Sequence, residues 1–289
     1  MRKDFPRSSY HSIALSYSQM PIYTDQLNRK IELSSKPKRI ISLVPSQTEL
    51  LFDMGLRDEV VGITKFCIHP EEWFRTKVRV GGTKKYDLEK IKALQPDLII
   101  GNKEENEQGQ IEELMKNYNV WMSDIFTLKD AYNMISGLGA LVGKQQEATN
   151  IKLEIEYKFH QLQSQLEISK KSPLNAGYFI WNDPYMVAGN NTFINDLLKI
   201  SRLNNVFVAK DSRYPQVSEQ EIKDVNPDVI LLSSEPFPFR EKHLLELKAI
   251  CPASNIIIVD GELFSWYGSR LLKTPAYLKQ LSDEISSKG

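Results

Sequence analysis

Two rhythms alternate along this chain. Short apolar runs rich in β-branched residues, each stopped by proline or a polar turn, read as buried strands. They are "RIISLVP" (39–45), 60–63, 98–100, "NVWMSD" (119–124), "AGYFIWN" (176–182), 206–208, 229–232 and "NIIIVDGE" (255–262). Between them, apolar residues recur in steps of three and four, which predicts helices over 46–55, 87–95, 110–117, 192–200 and 218–225. Ser46 and Glu49 have the spacing of a capping box at the start of the first helix, and Ser218 and Glu221 repeat it later.

The second half restates the first. "IKALQPDLII" (91–100) and "IKDVNPDVIL" (222–231) share a helix end, a Pro-Asp break and a strand at the same spacing. The simplest account is two β/α lobes of one plan. Alternating strands and helices predict parallel sheets covered on both faces. Between the lobes, Leu128, Ala131, Ile135, Leu138 and Val142 mark one helix, and Ile151, Ile155, Phe159, Leu162 and Leu166 a longer one. The expected organisation is an α/β protein with two Rossmann-like lobes, 21–142 and 171–289. A single long backbone helix within 143–170 joins them, with a ligand cleft between.

Composition narrows the classes. The 289 residues carry 37 Lys+Arg and 37 Asp+Glu, so the formal charge is zero and no basic face for nucleic acid is expected. No apolar run approaches the ~18 residues of a membrane span. Cys67 and Cys251 stand far apart in sequence, make no disulfide framework and fit no zinc spacing. The opening "MRKDFPRSSYHSIALSYSQM" is basic but has no continuous apolar stretch, so by pattern it is no secretory signal.

Catalytic motifs are sparse. "GLGALVG" (137–143) lies inside a helical pattern with no strand before it, and is read as helix packing rather than as a dinucleotide loop. No Walker loop, nucleophile elbow or zinc-protease motif occurs. "CIHPEEW" (67–73) brings Cys67, His69, Glu71 and Glu72 onto one loop, read as loop structure rather than a metal site.

The residues just beyond the predicted strands form a more informative set. They are Pro45-Ser46, Lys65-Phe66-Cys67, Asn102-Lys103, Trp181-Asn182, Arg213-Tyr214, Ser234-Glu235 and the run "FSWYGSR" (264–270). In α/β sheets ligands bind beyond the carboxyl ends of strands. Phe66, Trp181, Tyr214, Phe264, Trp266 and Tyr267 therefore collect where a flat apolar ligand would lie, with cations among them for its polar rim.

Taken together, "RIISLVPSQTELLFDMGLRDEVVGIT", "YDLEKIKALQPDLIIG", "DSRYPQVS" and "FSWYGSRLL" resemble the cobalamin and iron-chelate substrate-binding proteins of ABC importers, nearest to the cobalamin branch. The resemblance spans roughly 21–285. It implies two lobes on a rigid helix, no built-in cofactor, no catalysis, a monomer, and a cobalt corrinoid or iron chelate held between the lobes. Its pocket aromatics fall on Phe66, Trp181 and Tyr214, its pocket acid near Glu262 and its final arginine on Arg270, with Trp266 and Tyr267 as further rings. Two tryptophans of cobalamin binders, near Thr83 and Asn102, are missing. The acids that dock such proteins to their permease fall on Glu89 and, around Gln220, on Glu219 and Glu221. The resemblance implies a periplasmic location. The missing signal pattern keeps open a cytosolic corrinoid- or tetrapyrrole-handling protein, or a chelatase-like enzyme working through His69 beside Glu71.

Overall fold

A computed structural model describes residues 21–168 and 172–287; the amino-terminal segment read above for a signal lies outside them. The chain opens with an antiparallel hairpin, β1 (Ile22–Thr24) and β2 (Lys30–Glu32), which the sequence reading did not anticipate. The first lobe follows as β3 (Ile40–Ser42), α1 (Pro45–Asp53), β4 (Val60–Ile63), α2 (Glu71–Thr76), β5 (Val78–Arg79), α3 (Leu88–Leu94), β6 (Leu98–Asn102), α4 (Gln108–Met115), β7 (Val120–Ser123) and α5 (Leu128–Leu141). Its sheet has the order β5-β4-β3-β6-β7, with every pair parallel.

Helix α6 (Gln145–Ile168) links the lobes. Its 24 residues span about 36 Å at ~1.5 Å per residue. The second lobe comprises β8 (Leu174–Trp181), β9 (Met186–Val187), α7 (Phe193–Ile200), β10 (Leu203–Asn205), α8 (Glu219–Val225), β11 (Val229–Ser233), α9 (Glu241–Ile250), β12 (Asn255–Val259), α10 (Gly261–Ser265) and α11 (Thr274–Ser287). Its strands run parallel in the order β10-β8-β11-β12, and β9 adds antiparallel to β8.

The internal repeat has a physical basis. α3 and α8 both end on a left-handed residue, Gln95 at φ 45° and Asn226 at φ 39°, and proline follows each to stop the helix. The next residue then does the same work twice. Asp97 accepts the backbone N–H groups of Lys38 and Arg39 at 2.7 and 3.0 Å, and Asp228 accepts that of Asn175 at 2.8 Å. Each aspartate ties its turn to the start of a neighbouring strand, fixing where that strand enters the sheet.

Ile155, Phe159, Leu162 and Leu166 of α6 are buried in one apolar cluster with Ile40 and Trp121 of the first lobe and Tyr178 and Leu231 of the second. Each such side chain contributes about 1.5–3 kcal/mol by leaving water. The lobes are thus welded to the connecting helix. Gly139 permits this: a Cβ there would stand 2.3 Å from that of Ala148 on α6, so "GLGALVG" is a helix-packing motif.

Two local expectations are corrected. The strand expected at 206–208 is β10 at Leu203–Asn205, because Asn205 turns the chain there. Its Nδ2 donates to Ala188 O and Asn195 Oδ1, and its Oδ1 accepts Phe207 N–H. Ser46 and Glu49 form no capping box. α1 begins at Pro45 with Val44 as an N-cap that makes no side-chain bond, and Glu49 is used elsewhere. Ser218 and Glu221 do form the expected box.

Candidate functional site

The carboxyl ends of the two sheets face one another across a cavity of about 550 Å³, within the usual range for small-molecule sites. The first lobe contributes Val44 and Pro45 after β3, Phe66 and Ile68 after β4, and Glu104 and Glu105 after β6. The second lobe contributes Ile180 at the end of β8, Phe193 and Ile194 opening α7, Tyr214, the Ser233–Pro236 turn after β11, and Glu262, Ser265, Trp266 and Tyr267 after β12.

Of the residues singled out from sequence, Phe66, Tyr214, Glu262, Trp266 and Tyr267 meet in this cavity. Trp181 does not line it. Its ring lies edge-on to Phe237 at 5.4 Å, its indole N–H donates to Asp183 O, and it is 40% exposed. Phe264 belongs to the core, packed on Tyr178 at 4.9 Å.

Arg270 stands behind the cavity wall. Its Nε and Nη2 donate to the two oxygens of Glu49, each at 2.8 Å, and Nη1 donates to Glu262. The guanidinium covers the Trp266 ring at 4.5 Å. Gly268 makes this possible, since a Cβ would sit 2.7 Å from Ser46 O on α1. Arg270 thus ties the second-lobe loop to the first-lobe helix and fixes Glu262 and Trp266 in place. A second bridge crosses the cleft: Arg213 Nη2 donates to Glu104 at 2.9 Å and to Ile125 O at 3.3 Å, with its guanidinium over Phe126.

The polar part of the wall is acidic. Glu235 Oε1 accepts the Ser265 hydroxyl at 2.8 Å and the Trp266 indole N–H at 2.9 Å. Burial raises its carboxyl above the usual range, opposed by the Ser265 bond and reinforced by the Glu262 charge. Burial also pushes Glu105 up to about 7, helped by the charges of Glu104 and Glu235 and opposed by Lys84. Burial, then the charges of Glu104 and Glu105, raise the phenols of Tyr214 and Tyr267, so both stay protonated donors at neutral pH. His69 Nε2 lies 3.6 Å from Glu262 and its ring is edge-on to Trp266. Glu71, its expected companion, instead pairs with Arg75 on the exposed face of α2. Cys67 is a free, buried thiol within 3.1 Å of the Thr48 and Thr64 hydroxyls. Among the described residues, no group of three or more His, Cys, Asp or Glu side chains is placed to hold a metal ion. No described helix is long and apolar enough to cross a membrane.

Sequence reasoning missed Glu104 and Glu105, which sit in the charged run "NKEENEQG" just after the Asn102-Lys103 pair it did single out. Their position two and three residues beyond β6 was the available signal. Phe193 and Ile194 were hidden inside a helical pattern whose first turn happens to face the cleft.

The chain is 27% identical over 215 residues to YvrC of Bacillus subtilis, an uncharacterized ABC transporter substrate-binding lipoprotein, covering 72% of this chain and 67% of that one. It is 24% identical over 238 residues to a vitamin B12-binding protein of Pectobacterium carotovorum, covering 82% and 85%. Its fold matches the periplasmic vitamin B12-binding protein BtuF of Vibrio cholerae with a TM-score of 0.75 at 20% identity, over 87% of this chain and 98% of that one. The periplasmic heme-binding protein RhuT of Roseiflexus matches equally, at TM-score 0.75 and 20% identity over 86% and 98%. Residues 40–248 match the periplasmic binding protein family, and the chain belongs to it.

Proposed function

We propose that the protein is the substrate-binding receptor of an ABC importer and that it carries a flat metal chelate, a corrinoid or an iron chelate, between its lobes. The observation that carries this reading is the cavity at the facing strand ends, walled by the rings of Phe66, Tyr214, Trp266 and Tyr267. Rings on both sides of a cleft give a flat macrocycle broad apolar contact without chemistry. The names of the relatives, vitamin B12-binding and heme-binding, agree with that shape. In this reading the protein works as a monomer outside the cytoplasmic membrane, and the lobes are 21–142 and 171–289 with 143–170 between them.

Transfer to the permease would use one acid on each lobe. Glu89 and Glu219 both occupy the first turn of repeat-related helices, and both are exposed. Glu221 is already engaged: it closes the Ser218 capping box, and the Lys210 bond helps lower its carboxyl to about 2. We assign docking to Glu89 and Glu219. Arg270 acts in this account by positioning Glu262 and Trp266.

Absorbance and calorimetric titration with cobalamin, cobinamide and haem test the reading. Stoichiometric binding of at least one, with the chelate recovered chemically unchanged, is the expected result. Turnover, or metal removal from the chelate, would contradict a receptor.

A further inference from the structure

The acidic end of the cavity is matched by no free cation among the described residues lining it. Arg213 is committed to Glu104, and Arg270 to Glu49 and Glu262. Glu235 has its two donors from Ser265 and Trp266, and Glu262 faces Arg270 and His69. Glu105 differs from these. Its backbone N–H donates to Asn102 Oδ1, but among the described residues none donates a hydrogen bond to its carboxylate. The charged groups around it are Glu104, Glu235 and, opposing them, Lys84. A carboxylate half-buried in an aromatic cleft without a donor is costly unless something supplies one.

A second, independent observation lies beside it. Tyr267 lines the same cavity and is 5% exposed, and its hydroxyl is buried without a hydrogen-bond partner. The Glu105 and Glu104 charges act on that phenol, which places it at the acidic end. A phenol offers one donor and accepts as well; a carboxylate only accepts. A primary amide is the complement of this pair, its N–H meeting the carboxylate and its C=O meeting the phenol O–H. A carboxylate in the same place would meet Glu105 charge to charge.

We infer that Glu105 and Tyr267 form a rim subsite that selects chelates with amide side groups and turns away chelates with carboxylate side groups. The inference rests on the metal-chelate reading above and adds rim chemistry to it. The aromatic walls set the shape of the ligand, and this subsite sets which substituents it carries.

Matched probes isolate the rim from the core. Dicyanocobinamide carries amides where dicyanocobyrinic acid has carboxylates on the same corrin, and the bis-amide of haem stands to haem in the same relation. Isothermal titration at pH 8, where Glu105 is ionised, should give the amide member of a pair roughly ten- to hundredfold tighter binding. Glu105→Gln should bring the two members within about threefold of one another, and Tyr267→Phe should weaken the amide member while leaving the ligand-free melting temperature close to the parent's. Equal affinities in the parent, a preference for the carboxylate member, or a preference undiminished in Glu105→Gln would overturn the subsite while leaving a chelate receptor intact. If neither pair binds at all, the chelate reading falls and the subsite falls with it.

Discussion

Arg270 and Glu49, 221 residues apart in sequence, form a two-pronged ion pair that joins the carboxyl-terminal loop to the first helix of the opposite lobe. Both side chains are nearly buried, at 9% and 12% exposure. A planar fork aligned on a carboxylate suits arginine and not lysine. The pair explains why "SWYGSR" lies beside the cleft yet its arginine does not face the cavity.

Breaking such a pair from one side strands a buried charge, at a cost of about 3–5 kcal/mol. Arg270→Met leaves Glu49 and Glu262 without their cation. The ligand-free melting temperature should fall by on the order of 10 °C, and Arg270→Lys should recover only part of it. Unchanged melting together with lost chelate affinity would instead make Arg270 a ligand contact.

The rings should divide by position. Trp266 and Tyr214 line the cavity, and removing one aromatic contact costs on the order of 1–3 kcal/mol, or roughly ten- to hundredfold in affinity. Trp181 packs on Phe237 outside the lining. Titrations of Trp266→Ala, Tyr214→Ala and Trp181→Ala should show large losses for the first two and a change under about threefold for the third.

Glu105 makes a signed statement about pH. Its folded-state carboxyl titrates at about 7, above the 4.5 of an unperturbed glutamate. Ionising it therefore penalises the folded state. That penalty is absent below the unfolded value, grows as pH rises between the two, and is complete above the folded value. Glu105→Gln removes it. Thermal melts should show parent and variant level near pH 4 and the variant more stable at pH 8 by about 2–4 °C, corresponding to about 1 kcal/mol after solvent screening. A variant less stable at pH 8 would place a favourable partner beside Glu105.

Docking is testable apart from binding. Glu89→Arg with Glu219→Arg reverses one exposed charge on each lobe, and neither residue lines the cavity. Chelate affinity should stay within about twofold, while stimulation of the cognate permease's ATPase should drop severalfold. Full stimulation by the double variant would exclude these two acids as docking contacts.

Much of the fold was legible because repeated local chemistry produced it. The Pro-Asp break after each left-handed helix end, and the three-and-four spacing in α6, are local signals that the packing then uses. The failures arose where a tertiary partner overrode a local rule. Glu49 reads as a capping residue until Arg270 arrives from the far end of the chain, and Asn205 ends a strand through contacts with Ala188 and Asn195. In the site, aromatic residues after strands were readable because strand ends predict where a ligand lies. Glu104 and Glu105 were not, because a charged run looks the same whether it faces water or a cleft.

In the proposed function the facing strand ends hold one metal chelate. Spectrophotometric titration of the purified protein with dicyanocobinamide and with haem, repeated on Trp266→Ala, tests it most directly. One chelate per chain is expected for at least one of the two, with a dissociation constant of roughly micromolar or tighter and a loss of about tenfold or more in Trp266→Ala. Dissociation constants weaker than about millimolar for both chelates, or tight binding that Trp266→Ala leaves unchanged, would contradict it.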